Sequence, residues 1–312
     1  MGVHRGRTHA QLAALVAATN LPLATMSLGR GVFPESHPNH VGVFAGTRSF
    51  PSTVQALVQG SDCLICVGAN LSDVNTGGFT VRNTHLSLIR VAEHALNSSL
   101  PSQAALDPKS MVDSASLAFH VSPSFLTFIR RAPVKLNTTA FRTTRFEGVR
   151  AADIITALAS SLRKRSPEEA AAYWTHRPAT CGMLPLNAVE SSAAAAPTSP
   201  ATCDAFLSRL QRSVLRPGDI LVVETMALAF GLLPMRLPDG VLFINQALYA
   251  SIGFALPAAG GANRALRKAP GRRLVVITGD GSLHMSVGAL SGQMRDGASF
   301  CFFLFAIFYF FL

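Results

Sequence analysis

The chain has 312 residues, of which 49% are hydrophobic and 14% charged; that balance excludes global disorder and leaves room for two ordinary domains. Its formal charge of +10 comes mostly from scattered arginines, with dense sets only at Arg163–Lys164–Arg165 and at Arg264, Arg267, Lys268, Arg272 and Arg273. No aromatic residues interleave these sets as a nucleic-acid stacking platform requires, so no nucleic-acid partner is expected. Five cysteines in a chain of this length argue against a disulfide framework.

In chain order, MGVHRGRTHA has no apolar targeting segment, and a cytoplasmic protein is expected. HAQLAALVAAT has helical spacing, and LPLATM reads as a short buried strand. GRGVFPESHPNHVGVFAGTRS is punctuated by Gly and Pro and reads as a loop, with His37 and His40 as loop residues rather than zinc ligands. PSTVQALVQG predicts a helix with Pro51 near its first turn and Ser52 as a capping residue. SDCLICVGANLSD predicts a strand then a turn, so Cys63 and Cys66 face opposite sides and form no metal or redox pair. HLSLIRVAE is a further strand, and VRAADIITALASSLRKR predicts an amphipathic helix with a basic end.

THRPATCGMLPLNAVESSAAAAPTSPAT is rich in Ala, Ser and Pro and reads as part of an interdomain linker over residues 166–200. After it come the helix CDAFLSRLQRSVL, the strand in PGDILVVET, and VLFINQALYASIGFALPAAGGANRAL as strand, loop and small-residue helix. RRLVVITGDG then gives a strand and turn. The alternation predicts an α/β fold: two parallel-sheet domains with flanking helices, over residues 1–165 and 201–312. The last residues, Phe300–Leu312, are apolar throughout but shorter than the about 20 residues that a spanning helix needs, so no membrane partner is expected.

LVVITGDGSLHMSVGALSGQMRDG carries the most chemistry. LVVIT is a strand apolar on both faces, and Gly279, Asp280 and Gly281 follow at its C-terminal end, where open parallel sheets bind ligands. Ser282 is placed to cap the next helix, with Leu283, Val287, Leu290 and Met294 on one face. Free N–H groups there suit a phosphate, and Asp280 is a hard oxygen ligand suited to Mg²⁺ or Ca²⁺. From these residues alone, a diphosphate–metal site and an ordinary Gly-rich turn both remain open.

Two regions together resemble the thiamine-diphosphate-dependent 2-oxo acid decarboxylases of the pyruvate and indolepyruvate type. LPLATMSLGRGVFPESHPNHVGVFAGTRS with SDCLICVGANLSDVNTGGFT is similar to that family's Rossmann-like middle domain, and INQALYASIGFALPAAGGA with VVITGDGSLHMSV to its diphosphate-binding domain. The resemblance implies thiamine diphosphate and Mg²⁺ as cofactors, a small 2-oxo acid as substrate, and a homo-oligomer. It also implies Asp280 as metal ligand, Gly279, Gly281 and Ser282 around the diphosphate, and Ile252 beside Ser251 as the apolar wedge under the bent cofactor. Glu224 and Thr225 would lie near the cofactor at the preceding strand end.

Four departures bear on function. The family's pyrimidine-binding domain, with the Glu that drives cofactor activation, is not in the sequence as written, so no catalytic residue is assigned. Ala306 and Ile307 stand where the family has Asn-Asn, which supplies a metal ligand. Met226 and Ala227 replace a Gly and a hydroxyl or acidic residue, and Ala250 replaces a Gly and is tolerable only at negative φ. The expectation is a diphosphate-binding domain with an aberrant tail at residues 298–312, weak or no cofactor binding, and a partial or inactive decarboxylase. The alternatives are a non-catalytic binding or assembly module, or a carboligase of the same superfamily.

Overall fold

A computed structural model describes residues 2–61, 63–70, 72–81, 87–91, 95–99, 143–147, 149–166, 168, 203–225, 227–267 and 271–305. The linker expected at 166–200 therefore lies almost wholly outside the described residues, as do Met226, Ala306 and Ile307. The chain forms two compact units, one of residues 1–24, 44–48 and 52–177 and the other of residues 25–43, 49–51 and 178–312. The second unit thus draws on the early part of the chain as well as the late part.

The early elements are α1 (Gly2–Arg5), α2 (His9–Thr19), β1 (Leu23–Met26), β2 (His40–Phe44) and α3 (Thr53–Gln59). β1 and β2 pair as a small two-stranded sheet. β2 lies inside the segment expected to be a loop, and all five of its residues are buried. The glycines and prolines around it punctuate a short strand rather than replace it, and His40 is a buried strand residue. Ser52 does occupy the position before α3, but its side chain makes no capping bond.

In the first unit, β3 (Cys63–Val67), β4 (Ser87–Val91), β5 (Ala95–Ser99) and β6 (Thr143–Glu147) form a sheet in that order. β3 and β4 are parallel, whereas β5 runs antiparallel to both β4 and β6. The chain between Val91 and Ala95 is too short for the dozen or more residues of a parallel crossover, so an antiparallel return is the only one available. α2 buries Leu12, Leu15, Val16 and Thr19 at helical spacing, and packs against α4 (Ala151–Ser161). Leu15, Ile154, Ile155 and Leu158 share a core with Ile89 and Val91, and Cys63, Ile65 and Val67 pack on it. Cys66 does not join that core, as the period of two requires, and burial pushes its thiol up. α4 ends at Ser161 because Leu162 is extended, so the basic run lies beyond the helix and not at its end. Arg165 of that run is buried, and its N–H donates to Thr19 O.

In the second unit, β7 (Ile220–Val223), β8 (Leu242–Asn245), β9 (Leu274–Gly279) and β10 (Cys301–Phe305) form an all-parallel sheet in the order β10-β9-β7-β8. α5 (Cys203–Arg209) precedes it, α6 (Ala227–Gly231) follows β7, α7 (Ala255–Leu266) follows β8, and α8 (Asp280–Arg295) follows β9. Alternate strand residues feed two cores. Leu221, Val223, Val275 and Ile277 pack with Leu207 and Leu210 on one face. Ile220, Val222, Leu274 and Val276 pack with Ala255 and Ala259 of α7 on the other. The Phe-rich tail enters as β10, paired in register with β9 from Cys301↔Val275 to Phe305↔Gly279.

A buried ion pair secures residues 25–43 in this unit. Arg30 donates to both carboxylate oxygens of Glu35 at 2.9 Å, and to the carbonyls of Leu232, at 2.7 Å, and Met235. Glu35 also accepts from the Leu237 N–H at 2.9 Å, and both side chains are only 1% exposed. Gly31 beside them is at φ +76°, and a side chain there would run into Val241 O. Burial alone would push the Glu35 carboxyl up, but the Arg30 guanidinium, helped by His40 and the Leu237 N–H, holds it below the ordinary glutamate value. A depressed carboxyl contributes stability that is present above the unfolded value, about 4.3, and is lost as pH falls through the folded one. Truncation by Arg30→Ala, which strands a buried carboxylate, is expected to cost about 3–5 kcal/mol in denaturant titration. The pH dependence of that variant in the same range is expected to reverse, because an unpaired buried carboxyl folds better when protonated.

Candidate functional site

The sheet order creates a switch point between β7 and β9. They are neighbours, yet the chain leaves β7 for β8 on one side and leaves β9 for β10 on the other. The two departing connections open a crevice at the strand C-termini, which is where open parallel sheets bind ligands. Glu224 and Thr225 end β7, and Gly279 and Asp280 end β9, so the sequence-predicted residues of both strands meet at this edge.

Gly279 is extended, at φ −87° and ψ 160°, and α8 begins directly at Asp280. Ser282 is therefore not the helix cap expected from the sequence; it sits within the first turn, where its carbonyl accepts from Ser286 Oγ at 3.4 Å. Gly279 brings no side chain to the first N–H groups of this 16-residue helix, which leaves them to an anion. Asp280 stands exposed at the same end, with Gly281 beside it in open space. Among the described residues no three His, Cys, Asp or Glu side chains cluster as a closed metal cage. A divalent ion here would have Asp280 as a protein carboxylate and would take other oxygens from phosphate and water, the usual habit of Mg²⁺. The first turn thus fits a diphosphate, and the donor set fits a metal only when the diphosphate comes with it.

The apolar stripe of α8 is not its buried face. Val287 and Met294 are 55% and 73% exposed, and Gln293 is the buried residue. Ser286, at φ −139°, breaks the helical run and shifts the facing residues after it. Gln293 then donates to Leu256 O of α7, close over Gly260, so α8 rests on α7 through an amide and a glycine.

The loop after β8 meets the first turns of α8. Gly253 is at φ +86°, and a side-chain carbon there would stand 3.0 Å from Met285 Cβ and 3.5 Å from Ser282 O. Ser251 and Ile252, just before it, are both exposed, Ile252 by 58%. The structure therefore brings Ser251, Ile252, Gly279, Asp280, Gly281 and Ser282 to one rim.

Beneath the rim lies a polar network. Glu224 is 2% exposed. Its Oε1 accepts from Thr225 N at 3.0 Å, and its Oε2 from Ala255 N at 3.2 Å and Thr278 Oγ1 at 3.4 Å. Thr225 Oγ1 donates to Gln246 O. Asn245 Nδ2 donates to the carbonyls of Val223 and Glu224, and its Oδ1 accepts from Ala247 N at 2.6 Å. Asn245 and Thr278 escaped the sequence reading, although each is a polar residue at the end of an apolar strand, a position that turns a side chain toward the crevice.

Two family descriptions match the chain: "Thiamine pyrophosphate enzyme, central domain" over residues 1–103 and "Thiamine pyrophosphate enzyme, C-terminal TPP binding domain" over residues 226–306. These two matches, with the relatives below, support a thiamine-diphosphate-dependent 2-oxo acid decarboxylase family for the chain. It is similar to an "Alpha-keto-acid decarboxylase" of Mycobacterium leprae (strain TN), 27% identical over 95% of this chain and 42% of the relative. The Mycobacterium tuberculosis (strain ATCC 25618 / H37Rv) protein of that description is 28% identical over the same shares. A "Pyruvate decarboxylase" of Candida albicans (strain SC5314 / ATCC MYA-2876) is 27% identical over 91% of this chain and 41% of its own length. The chain therefore spans less than half the length of these relatives.

Within this thiamine-diphosphate family chain, one backbone feature corrects an expectation from the sequence. Ala250 was acceptable in place of glycine only at negative φ, but it sits at φ +48°, in the left-handed region. A Cβ there crowds its own backbone, at about 1–2 kcal/mol. The next residues but one are those of the Ile252 rim, so the strain lies inside the site. Ala250→Gly is expected to raise unfolding stability by about 1 kcal/mol, read as a higher denaturation midpoint at unchanged slope.

Proposed function

We propose that the second unit holds the diphosphate of thiamine diphosphate at the first turn of α8, with Mg²⁺ on Asp280. In this reading Gly279, Gly281 and Ser282 line the diphosphate, and Ile252, with Ser251, supports the cofactor from the facing loop. The substrate class would then be a small 2-oxo acid, in keeping with relatives described as an alpha-keto-acid decarboxylase and a pyruvate decarboxylase. When bound, thiamine diphosphate supplies the electron sink for loss of CO₂ from such an acid. The chain's own residues bind and orient: helix N–H groups hold the anion, Asp280 holds its metal, and the 246–254 loop sets the height of the apolar support.

The observation that carries this reading is the meeting of Gly253 with Ser282 and Met285 at the β7/β9 switch point. It brings the stretches ASIG and GDGS together where α7 and α8 pack, at the edge where one ligand could reach both. The arginines argue for a small-molecule ligand rather than nucleic acid. Arg272 donates to Gly218 O and Gly240 O, Arg273 to Asp219, Arg264 to Asp296 and Arg267 to Asp296 O, so these four arginines bond within their own unit. Among the described residues no helix is long and apolar enough to cross a membrane.

A second reading, a non-catalytic binding module, is favoured by the strained Ala250 and by the fact that Glu224 already uses both carboxylate oxygens within the protein. Calorimetry with thiamine diphosphate and Mg²⁺ separates them in two steps. Magnesium-dependent binding that disappears in Asp280→Ala supports the cofactor site, and its absence in the unsubstituted chain overturns it. The 312-residue chain alone is expected to release no CO₂ from pyruvate or indolepyruvate, because Ile252 stands uncovered and no described acid at the rim is left free of metal or backbone to move a proton. Measured turnover would remove the non-catalytic reading.

A further inference from the structure

We infer that Glu224 is a positioning residue: its carboxylate fixes the loop that carries Ser251 and Ile252 and does not touch a cofactor. The inference rests on the cofactor reading above, and it changes the role of one of that reading's own residues.

Three observations support it. First, Glu224 is buried with both oxygens engaged, by Thr225 N on one side and by Ala255 N and Thr278 Oγ1 on the other. At 2% exposed the carboxylate faces donors of its own unit rather than solvent, and a buried carboxylate without these donors would be costly. Second, Ala255 is the first residue of the 12-residue α7, and the residue before it, Phe254, offers no side-chain cap. Ala255 is itself fully buried, so its N–H has no water to turn to. Glu224, 31 residues earlier in the chain, supplies both the missing acceptor and a negative charge at the positive end of the helix. Third, the other end of the same loop is held from the same strand end: Thr225 binds Gln246 O, and Asn245, tied to the Glu224 carbonyl, binds Ala247 N.

The loop is therefore stapled at residues 246–247 and again at residue 255, and what lies between is the turn with Ala250 at φ +48° and the exposed Ile252. An exposed apolar side chain on a strained turn keeps one position only when both ends of the turn are fixed. Thr278 adds β9 to the same carboxylate, so the height of the loop is referenced to the strand that ends at Gly279, directly before Asp280. Glu224 thereby couples the Ile252 loop to the diphosphate-binding turn through one side chain.

The test is Glu224→Gln in the full chain, read by site-resolved amide exchange and by calorimetric titration with thiamine diphosphate and Mg²⁺. A Gln amide keeps the size but offers one acceptor oxygen to donors that used two. Exchange at Ala255, whose N–H Glu224 accepts, is expected to speed at least about tenfold, exchange at residues 274–277 of β9 to stay within about twofold, and cofactor affinity to fall about tenfold. Unchanged exchange at Ala255, or an equal rise through the whole sheet, overturns the inference, the latter by making Glu224 a general stabiliser. Glu224→Asp, which keeps the charge but shortens the reach to Ala255, is expected to give the same local pattern and serves if the Gln variant does not fold. Should the unsubstituted chain bind no thiamine diphosphate, the cofactor reading fails, while the exchange pattern still decides what Glu224 holds in place.

Discussion

A carboxylate enters a protein interior only if donors replace the water it leaves, and at Glu224 that requirement organises the C-terminal edge of the sheet. The donors come from its own strand end, from the first turn of α7 and from the end of β9. Each would be poorly satisfied alone. Ala255 N–H is buried at a helix start without a local cap, and Thr278 is 1% exposed at the end of an apolar strand. One acidic side chain resolves these needs together, and in doing so it fixes the distance between the two connections that leave the switch point in opposite directions. The crevice is then a consequence of strand order, and its dimensions a consequence of one buried charge.

The Arg30–Glu35 pair answers the same physical demand with a different solution. There the buried carboxylate is matched by a cation, and the cation's remaining N–H groups are taken by the carbonyls of Leu232 and Met235. The pair ties residues 25–43 to the segment after α6, across some two hundred positions of sequence. Its contribution lies in specifying where that segment lies, because a paired buried charge gains little over an apolar filling while a broken one is costly.

Much of the fold was legible in the sequence because its signals are local. HAQLAALVAAT spells α2 residue for residue, and LVVIT, apolar on both faces, could only be an interior strand of a covered sheet. The proposed roles of Asp280 and Ile252 rest on motif resemblance. What could not be read was set by partners distant in sequence. The strand inside GRGVFPESHPNHVGVF is hidden by its flanking Gly and Pro and declared only by complete burial. The inner face of α8 follows a break at Ser286 and a hydrogen bond from Gln293 to another helix, neither of which leaves a mark on hydrophobic spacing. The sign of φ at Ala250 depends on a loop pinned at both ends, and the role of Glu224 on an N–H 31 residues away.

The Phe-rich tail shows how hydrophobic pattern and chemistry separate. In β10 and just before it, Cys301 and Phe303 pack on the core beside Leu221 and Val275, and Phe300 and Phe302 on the opposite core beside Val222 and Val276. From Phe300 to Phe303 the period of two alternates the side chains between the two cores, whereas Leu304 is exposed. Register with β9 brings Phe305 level with Gly279, one residue before Asp280. Packing therefore accounts for the position of this strand without any contribution from the site. The place of residues 300–303 follows from packing on the two cores, and the proposed cofactor contacts lie on the helix turn that Asp280 begins.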